Sequence, residues 1–390
     1  MFALCKLMCY FCKDMAGIYI HIPFCSKRCY YCDFYSTTNN KLAEKYIDTL
    51  LIELKARIEE IGEGDITTIY IGGGTPSQLP ISLLAHLVNE MKVVIDFNKV
   101  GEFTIEVNPD DVTDEYMRSC RGLGINRVSM GIQSFVDAEL QVINRRHTST
   151  QAKEAVALMR NAGFDNISID LIYGLPLQTH ESWHFSVEEA IKLGVPHISC
   201  YNLSYEYGTV LYNKREKGEV KECGEDDCVK MYEDMVTMLK NAGYVHYEIS
   251  NFARPDCFSR HNSNYWNQTP YLGLGASAHS FDGNMRRFNP ASISDYISKV
   301  ETSGRAYEEE TENEWERYNE YVMINMRTMW GVNKDRICAL FGDKLYVHFI
   351  KESSRFINSG ELKDDNGTLV VTEKGVMLSD YIIMNLMYIP

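Results

Sequence analysis

From Gly17 onward, short β-rich apolar runs alternate with longer stretches in which apolar residues return every three or four positions. The run "GIYIHI" is followed, past a cysteine-bearing loop, by "LAEKYIDTLLIELKARIEEI", where Leu42, Ile47, Leu50, Leu51, Leu54, Ile58 and Ile61 recur at helical spacing. "ITTIYI" then leads through glycines to a predicted helix over Ile81–Val94, and "EFTIEVNP" precedes one starting at Asp114. "RVSMGIQS" is followed by a helix around Gln151–Ala162, "NISIDLIYG" by one over Glu181–Leu193, and "HISCYNLS" closes the series. Six strands with intervening helices predict an α/β fold with a parallel sheet. Six repeats suit an open (β/α)6 partial barrel better than a closed eight-stranded one, and in such folds the chemistry collects at the C-terminal strand ends.

The rhythm breaks beyond about Val210. A helix over Asp226–Ala242 is expected, then the loop-rich "YEISNFARPDCFSRHNSNYW" and "YLGLGASAHSF". "YEEETENEWE" reads as a linker or as the solvated first turns of a helix. After it come helices and a hairpin, "GELKDDNGTLVVTEKG", with Asn-Gly at the turn. This tail resembles a winged-helix module in which acids outnumber bases, so DNA binding is not its expected use. The predicted divisions are a tail over 1–16, a barrel core over 17–210, an extension over 211–305 carrying "HNSNYW", and a smaller C-terminal helical, winged-helix-like domain over 306–390.

Composition narrows the use. The 390 residues are 45% hydrophobic, enough for a large core, and the net charge of -15 repels phosphates, so nucleic acid is not an expected partner. The twelve cysteines are scattered along a long chain and read as thiols in a reducing compartment. The first residues lack a basic region and a cleavage site, and no apolar run is long enough to span a bilayer, so the expected location is the cytoplasm.

Two stretches share the spacing C-x3-C-x2-C: "CKLMCYFC" from Cys5 and "CSKRCYYC" from Cys25. Cys25, Cys29 and Cys32 directly follow a strand, in a loop opened by Pro23. Three thiolates so spaced can hold three irons of a cubane and leave the fourth open to an exchangeable ligand. Zinc would normally need a fourth Cys or His, which the loop lacks, and structural thiols are the remaining alternative. Cys5, Cys9 and Cys12 have no preceding strand and lie ahead of Met15, an alternative start; they are expected to belong to a tail.

Polar residues recur where the strands end. Gly73, Gly74 and Thr75 in "GGGTP" allow close backbone approach and add a hydroxyl. Glu106, Gln133 and Asp170 stand in otherwise apolar settings, where a carboxylate needs a cation or a donor nearby. Arg145 in "INRRH" has the fork-shaped donors for a carboxylate, and Arg146 competes with it.

"CSKRCYYC" in the setting "YIHIPFC…CDF" resembles the signature of the radical S-adenosylmethionine family. The resemblance implies a 4Fe-4S cluster on Cys25, Cys29 and Cys32 whose open iron takes the amino and carboxylate groups of S-adenosylmethionine, with a 5′-deoxyadenosyl radical as the product of electron transfer. It assigns the methionine amino group to Gly73, Gly74 and Thr75, and the ribose hydroxyls and ammonium to Glu106, Gln133 and Asp170. Arg145, twelve residues after Gln133, would pair the carboxylate; Tyr19 would stand near the iron-bound end and Asn202 near the adenosyl group.

"GINRVSMGIQSF", "DLIYGLP" and "YEISNFARP" resemble the coproporphyrinogen oxidase-like branch of that family. Two functions share the branch: oxygen-independent coproporphyrinogen III oxidase, which decarboxylates two propionates to give protoporphyrinogen IX, and a haem chaperone that passes haem to respiratory proteins. The run Cys32, Asp33, Phe34 lacks the further cysteine usual in the oxidase, the segment before the first strand is short, and "HNSNYW" resembles the chaperones' H-N-x-x-Y-W motif. The expectation is therefore a haem chaperone, with the oxidase as the alternative. His261 is the expected haem ligand, Tyr265 and Trp266 an apolar wall for the porphyrin, Arg260 a partner for a propionate and His279 a second candidate ligand. The resemblance also implies haem-accepting respiratory proteins, an electron donor such as a flavodoxin or ferredoxin, and peripheral contact with a membrane.

Overall fold

The computed structural model describes residues 15–62 and 64–390, so Cys5, Cys9 and Cys12 lie outside the described residues. Two compact units divide the chain: residues up to Gly243 with Arg254–Glu310, and Tyr244–Ala253 with Thr311–Pro390.

In the first unit β1 (Met15–Ile22), β2 (Asp65–Gly73), β3 (Glu102–Val107), β4 (Arg127–Gln133), β5 (Asn166–Tyr173) and β6 (His197–Asn202) pair in chain order, every pair parallel. The connecting helices are α1 (Ala43–Arg57), α2 (Ile81–Val94), α3 (Asp114–Gly122), α4 (Asp137–Val142), α5 (Ser149–Asn161) and α6 (His180–Leu193). Threonines start three of them: Thr113 accepts from the Tyr116 amide, and Thr148 and Thr179 close capping boxes with Gln151 and Ser182. This is the expected α/β arrangement of six parallel strands in chain order with intervening helices.

Each barrel strand alternates. Ile18, Ile20, Ile69, Ile71, Phe103, Ile105, Val128, Met130, Ile167, Ile169 and Ile198 are all buried on one face, and each such side chain contributes about 1.5–3 kcal/mol on burial. The other face carries Tyr19, Tyr70 and Thr104 in register, then Glu106 beside Ser129 and Ser168, and Asp170 beside Ser199. Parallel strands covered on both faces normally read as continuous apolar runs. Here the helices cover the apolar face alone, and the other encloses a polar interior whose groups must find hydrogen-bond partners.

An element outside the predicted series extends the sheet. Tyr271–Leu274 pairs in parallel with β1, and His279–Phe281, Arg286–Phe288 and Glu308–Glu310 continue from it as antiparallel strands. A buried polar clamp ties this segment to α1. Glu53 accepts from Arg57 at 2.6 Å, Gly275 N at 2.9 Å, Asn289 at 2.8 Å and the Tyr296 hydroxyl at 2.7 Å, while Arg57 also donates to Gly273 O at 3.2 Å and Ser280 Oγ at 3.0 Å.

The second unit packs helices Glu314–Asn325, Lys334–Ser359 and Ser379–Leu386 around a core of Tyr318, Val322, Phe349, Leu369 and Ile382. A small antiparallel sheet orders Val332–Asn333, Thr368–Val371 and Leu362–Asp365. Its hairpin turns at Asn366 and Gly367, with φ of 52° and 90°, as a two-residue turn between twisted strands requires. Among the described residues no helix is long and apolar enough to cross a membrane.

Candidate functional site

The cysteine loop leaves β1 at its C-terminal end and is pinned on both sides. Cys25 N donates to Thr37 O at 2.9 Å and Thr37 N to Pro23 O at 2.7 Å, while Tyr30 N donates to Ile143 O at 3.1 Å and the Asn144 amide to Arg28 O at 2.8 Å. The glycine run after β2 lies against the same loop, Gly74 N reaching Ile22 O at 2.8 Å and Thr75 N reaching Phe24 O at 2.9 Å. Only glycine fits at two of these positions. A Cβ at Gly73, where φ is +113°, would stand 2.6 Å from the His21 ring, and one at Gly74 would stand 2.9 Å from the Pro23 carbonyl carbon and 3.0 Å from Cys25 Sγ.

The three thiols fit a cluster triad. All are free. The Thr75 hydroxyl donates to Cys25 Sγ and the Arg145 guanidinium to Cys29 Sγ, each at 3.4 Å. Burial pushes the Cys25 thiol up and the Cys32 thiol up to about 11, so ligation must expel their protons. Among the described residues no three His, Cys, Asp or Glu side chains converge on a point that one metal ion could occupy. Three thiolates serving three separate irons need no such convergence.

Around the loop stand the polar residues of the inner strand faces. Glu106 accepts from the Tyr70 hydroxyl at 2.7 Å and from Gly73 N at 3.0 Å; burial outweighs these donors and pushes its carboxyl up to about 7. Asp170, beside the Ser199 hydroxyl, is pushed up to about 6 by burial. Tyr19 bonds His21 Nδ1 at 3.0 Å. Gln133 ends β4 at φ 72°, its amide folded against Gly131. Arg145 donates to Asn108 Oδ1 at 2.7 Å and to Gly131 O, yet its buried Nε has no hydrogen-bond partner among the described residues. Arg146 instead pairs with Asp110 at 2.6 Å and Asp111 at 2.9 Å, away from the thiols. Asn202, at the end of β6, holds Oδ1 3.0 Å from where a Gly174 Cβ would stand.

Asn108 was absent from the sequence reading. It also donates to Thr75 Oγ1 at 3.4 Å, closing a chain of contacts from Cys25 through Thr75, Asn108 and Arg145 to Cys29. Its signal was available: it directly follows the β3 strand and precedes a proline, the position where the other site residues gather.

The "HNSNYW" segment lies elsewhere. It forms the helix Arg260–Trp266, capped by Ser259, whose first amides at Arg260 and His261 donate to Glu102 at 3.0 and 2.9 Å. Glu102 and Thr68 sit near the starts of their strands, so this helix closes the N-terminal end of the barrel, opposite the cysteine loop. His261 is 1% exposed. Its Nδ1 bonds Thr68 Oγ1 and its Nε2 bonds the Tyr265 hydroxyl, both at 2.9 Å, and its ring stacks on Tyr70 with centroids 5.3 Å apart. Burial drives its pKa down to about 3, so it stays neutral. In this arrangement His261 offers an iron no free nitrogen. Tyr265 packs edge-on against Tyr271, and the indole N–H of the partly buried Trp266 has no hydrogen-bond partner among the described residues. His279 is exposed and opens a strand; ahead of it Ser277 takes φ 63°, a conformation that favours glycine.

Residues 19–190 match the family model described as the radical SAM superfamily, and residues 313–378 match that of the HemN C-terminal domain. The chain is 36% identical to the haem chaperone HemW of Lactococcus lactis, covering 93% of this chain and 94% of that protein. It is 33% identical to the haem chaperone HemW of Bacillus subtilis, covering 94% and 97%. The solved structure of the coproporphyrinogen III oxidase HemN from Escherichia coli, a radical SAM enzyme, superposes with a TM-score of 0.84 at 24% identity, covering 99% of this chain and 93% of that one.

Proposed function

The chain belongs to the radical SAM superfamily, in its HemN-like branch with the HemW proteins, and we propose that it is a haem chaperone that binds haem as cargo and hands it to respiratory haem proteins. The observation that carries this reading is the likeness to haem chaperones along nearly the whole chain. Support comes from the loop itself, where Phe34 rather than a fourth thiol stands two residues after Cys32 and is 67% exposed.

In this proposal Cys25, Cys29 and Cys32 hold a 4Fe-4S cluster, and when S-adenosylmethionine is bound the pair supplies one-electron reductive chemistry. The chain's own residues bind and orient. Gly73 and Gly74 give the cofactor close backbone approach, and Thr75 and Tyr19 line its methionine end. Arg145, with an unspent Nε, takes the carboxylate; Glu106 and Asp170 accept from hydroxyls and face the cationic groups, with Gln133 and Asn202 toward the nucleoside. His261 positions the barrel floor, and the partly buried Trp266 is the aromatic group proposed for a porphyrin face. A cytoplasmic location, an electron donor of the flavodoxin or ferredoxin type and peripheral approach to membrane-bound haem acceptors belong to the same proposal.

The complete cofactor set supports a second reading, oxygen-independent coproporphyrinogen III oxidase. Titration of the purified full chain with haem, followed by absorbance, and anaerobic incubation of the reconstituted protein with coproporphyrinogen III and a reductant separate the two. Stable haem binding, transfer to an apo-haem protein and no decarboxylation are expected. Turnover to protoporphyrinogen IX would overturn the chaperone reading.

A further inference from the structure

The barrel interior holds a cation that the functions assigned so far do not use. Arg127 opens β4 with its side chain on the polar inner face, in register with Thr104 on β3 and Asn166 on β5, and is 1% exposed. Among the described residues no carboxylate makes an ion pair with it, and neither its Nε nor the neighbouring Thr104 hydroxyl has a hydrogen-bond partner. A buried guanidinium without a partner is costly. Its position explains the expense: β4 lies between β3 and β5, the strands whose inward carboxylates are Glu106 and Asp170.

We propose that Arg127 is a positioning residue, the fixed positive charge beneath the cofactor site that favours the carboxylate forms of Glu106 and Asp170, the forms that meet S-adenosylmethionine. The inference rests on the cofactor reading above. Burial works against both carboxyls, and the charge of Arg127 opposes it at each. The same charge helps keep His197 and His261 neutral. The other titratable or charged groups around this interior are Tyr19 and His21 from β1, Tyr70 from β2, Glu102 from β3, His197 from β6, His261 and Tyr265 from the floor helix, and Arg145, whose charge also favours ionised Asp170. The Tyr70 hydroxyl and Gly73 N donate to Glu106 and favour its charged form while Asp170 works against it, and Arg145, engaged with Cys29 and Asn108, acts on Asp170; Arg127 is the buried cation that acts on both carboxylates.

The test is S-adenosylmethionine binding by the reconstituted full chain, measured calorimetrically from about pH 6 to pH 9 for the wild type, Arg127→Met and Arg127→Lys. The infrared carbonyl stretch of protonated carboxyl groups in the ligand-free proteins is recorded alongside. Arg127→Met should move the pH midpoint of binding upward by about one unit or more, which is about tenfold weaker binding near pH 7 with recovery by about pH 9. Its protonated-carboxyl band near pH 7 should grow, and Arg127→Lys should restore both readouts. Arg127→Gln carries the same expectation if the methionine variant does not fold. Weakening that is equal at every pH, or an unchanged infrared band, would overturn the proposal. Absence of binding by the wild type at every pH would sink the cofactor reading instead, and the infrared comparison would still decide the role of Arg127.

Discussion

Replacing His261 by alanine tests whether the H-N-x-x-Y-W motif of this chain ligates iron or braces the barrel. Its two ring hydrogen bonds, to Thr68 and Tyr265, contribute about 1 kcal/mol each. Truncation also leaves the Tyr265 hydroxyl without that partner inside the protein, a further cost of about 1–3 kcal/mol, and it empties the space beside Tyr70 and Gly17. Thr68 is partly spared, because Asn264 also donates to it at 3.2 Å. The sum is a loss of about 3–5 kcal/mol. A pH signature accompanies it. The imidazole is held neutral down to about pH 3 in the folded chain, whereas in the unfolded chain it takes a proton near pH 6.5. Below about pH 6.5 the unfolded state therefore binds the extra proton, and stability drawn from this residue falls by about 1.4 kcal/mol per pH unit.

His261→Ala lacks that linkage, so the gap between the two proteins should narrow by about 2 kcal/mol from neutral pH to about pH 5. Urea unfolding at several pH values measures the gap, and haem titration of the folded proteins shows whether the absorbance of the complex changes. The expected outcome is a destabilised variant that still binds haem with an unaltered spectrum. Unchanged unfolding together with a lost or shifted haem band would refute the reasoning and return His261 to the iron.

Two further substitutions probe the opposite end of the barrel. Gly74→Ala places a methyl group 3.0 Å from Cys25 Sγ and 2.9 Å from the backbone of Pro23; the expected result is a folded protein that retains little iron after reconstitution, read by iron content and cluster absorbance. Arg145→Lys gives up the fork that reaches Cys29, Asn108 and Gly131 and should weaken S-adenosylmethionine binding about tenfold or more, whereas Arg146→Lys, in a partly exposed pair, should change it by less than about threefold; calorimetric titration distinguishes them.

The barrel was legible because its signals are local. Alternating β-rich runs and helical periodicity located β1 to β6, and the Asn366–Gly367 turn announced its hairpin. The strand Tyr271–Leu274 was not legible: it is short, interrupted by Gly273, and acquires its partner only by pairing with a segment more than two hundred residues earlier. The buried Glu53–Arg57 pair grips the later segment at Gly273 O and Gly275 N, and in sequence Glu53 and Arg57 look like two charges on an amphipathic helix. Glu106, Gln133 and Asp170 were expected in the site because polar side chains there coincide with barrel strands, a rule that at strand ends also selects Asn108, whereas Tyr19, Asn202 and the choice of Arg145 came only with the family resemblance. The same rule says nothing about the floor, because the direction in which the His261 helix approaches the barrel is set by Glu102, Thr68 and Tyr271, each distant in the chain.

The closed chain of contacts from Cys25 to Cys29 gives the order of the strands a chemical consequence. The loops after β1, β2, β3 and β4 contribute the thiols, Thr75, Asn108 and Arg145 in turn, so neighbours in the sheet become neighbours around the thiols. A ligand whose carboxylate engages Arg145 must compete for the guanidinium that now touches Cys29. In the proposed cofactor site, engagement of the ligand carboxylate and the electrostatic environment of one thiol would thereby be coupled through a single side chain. The polar inner faces of β3, β4 and β5 extend that coupling toward the floor, through Glu106, Arg127 and Asp170. The helix carrying His261 packs on Glu102 and Thr68 at that end of the barrel, where Arg127 and His261 are both buried, a low-dielectric setting in which charges influence one another more strongly than in water.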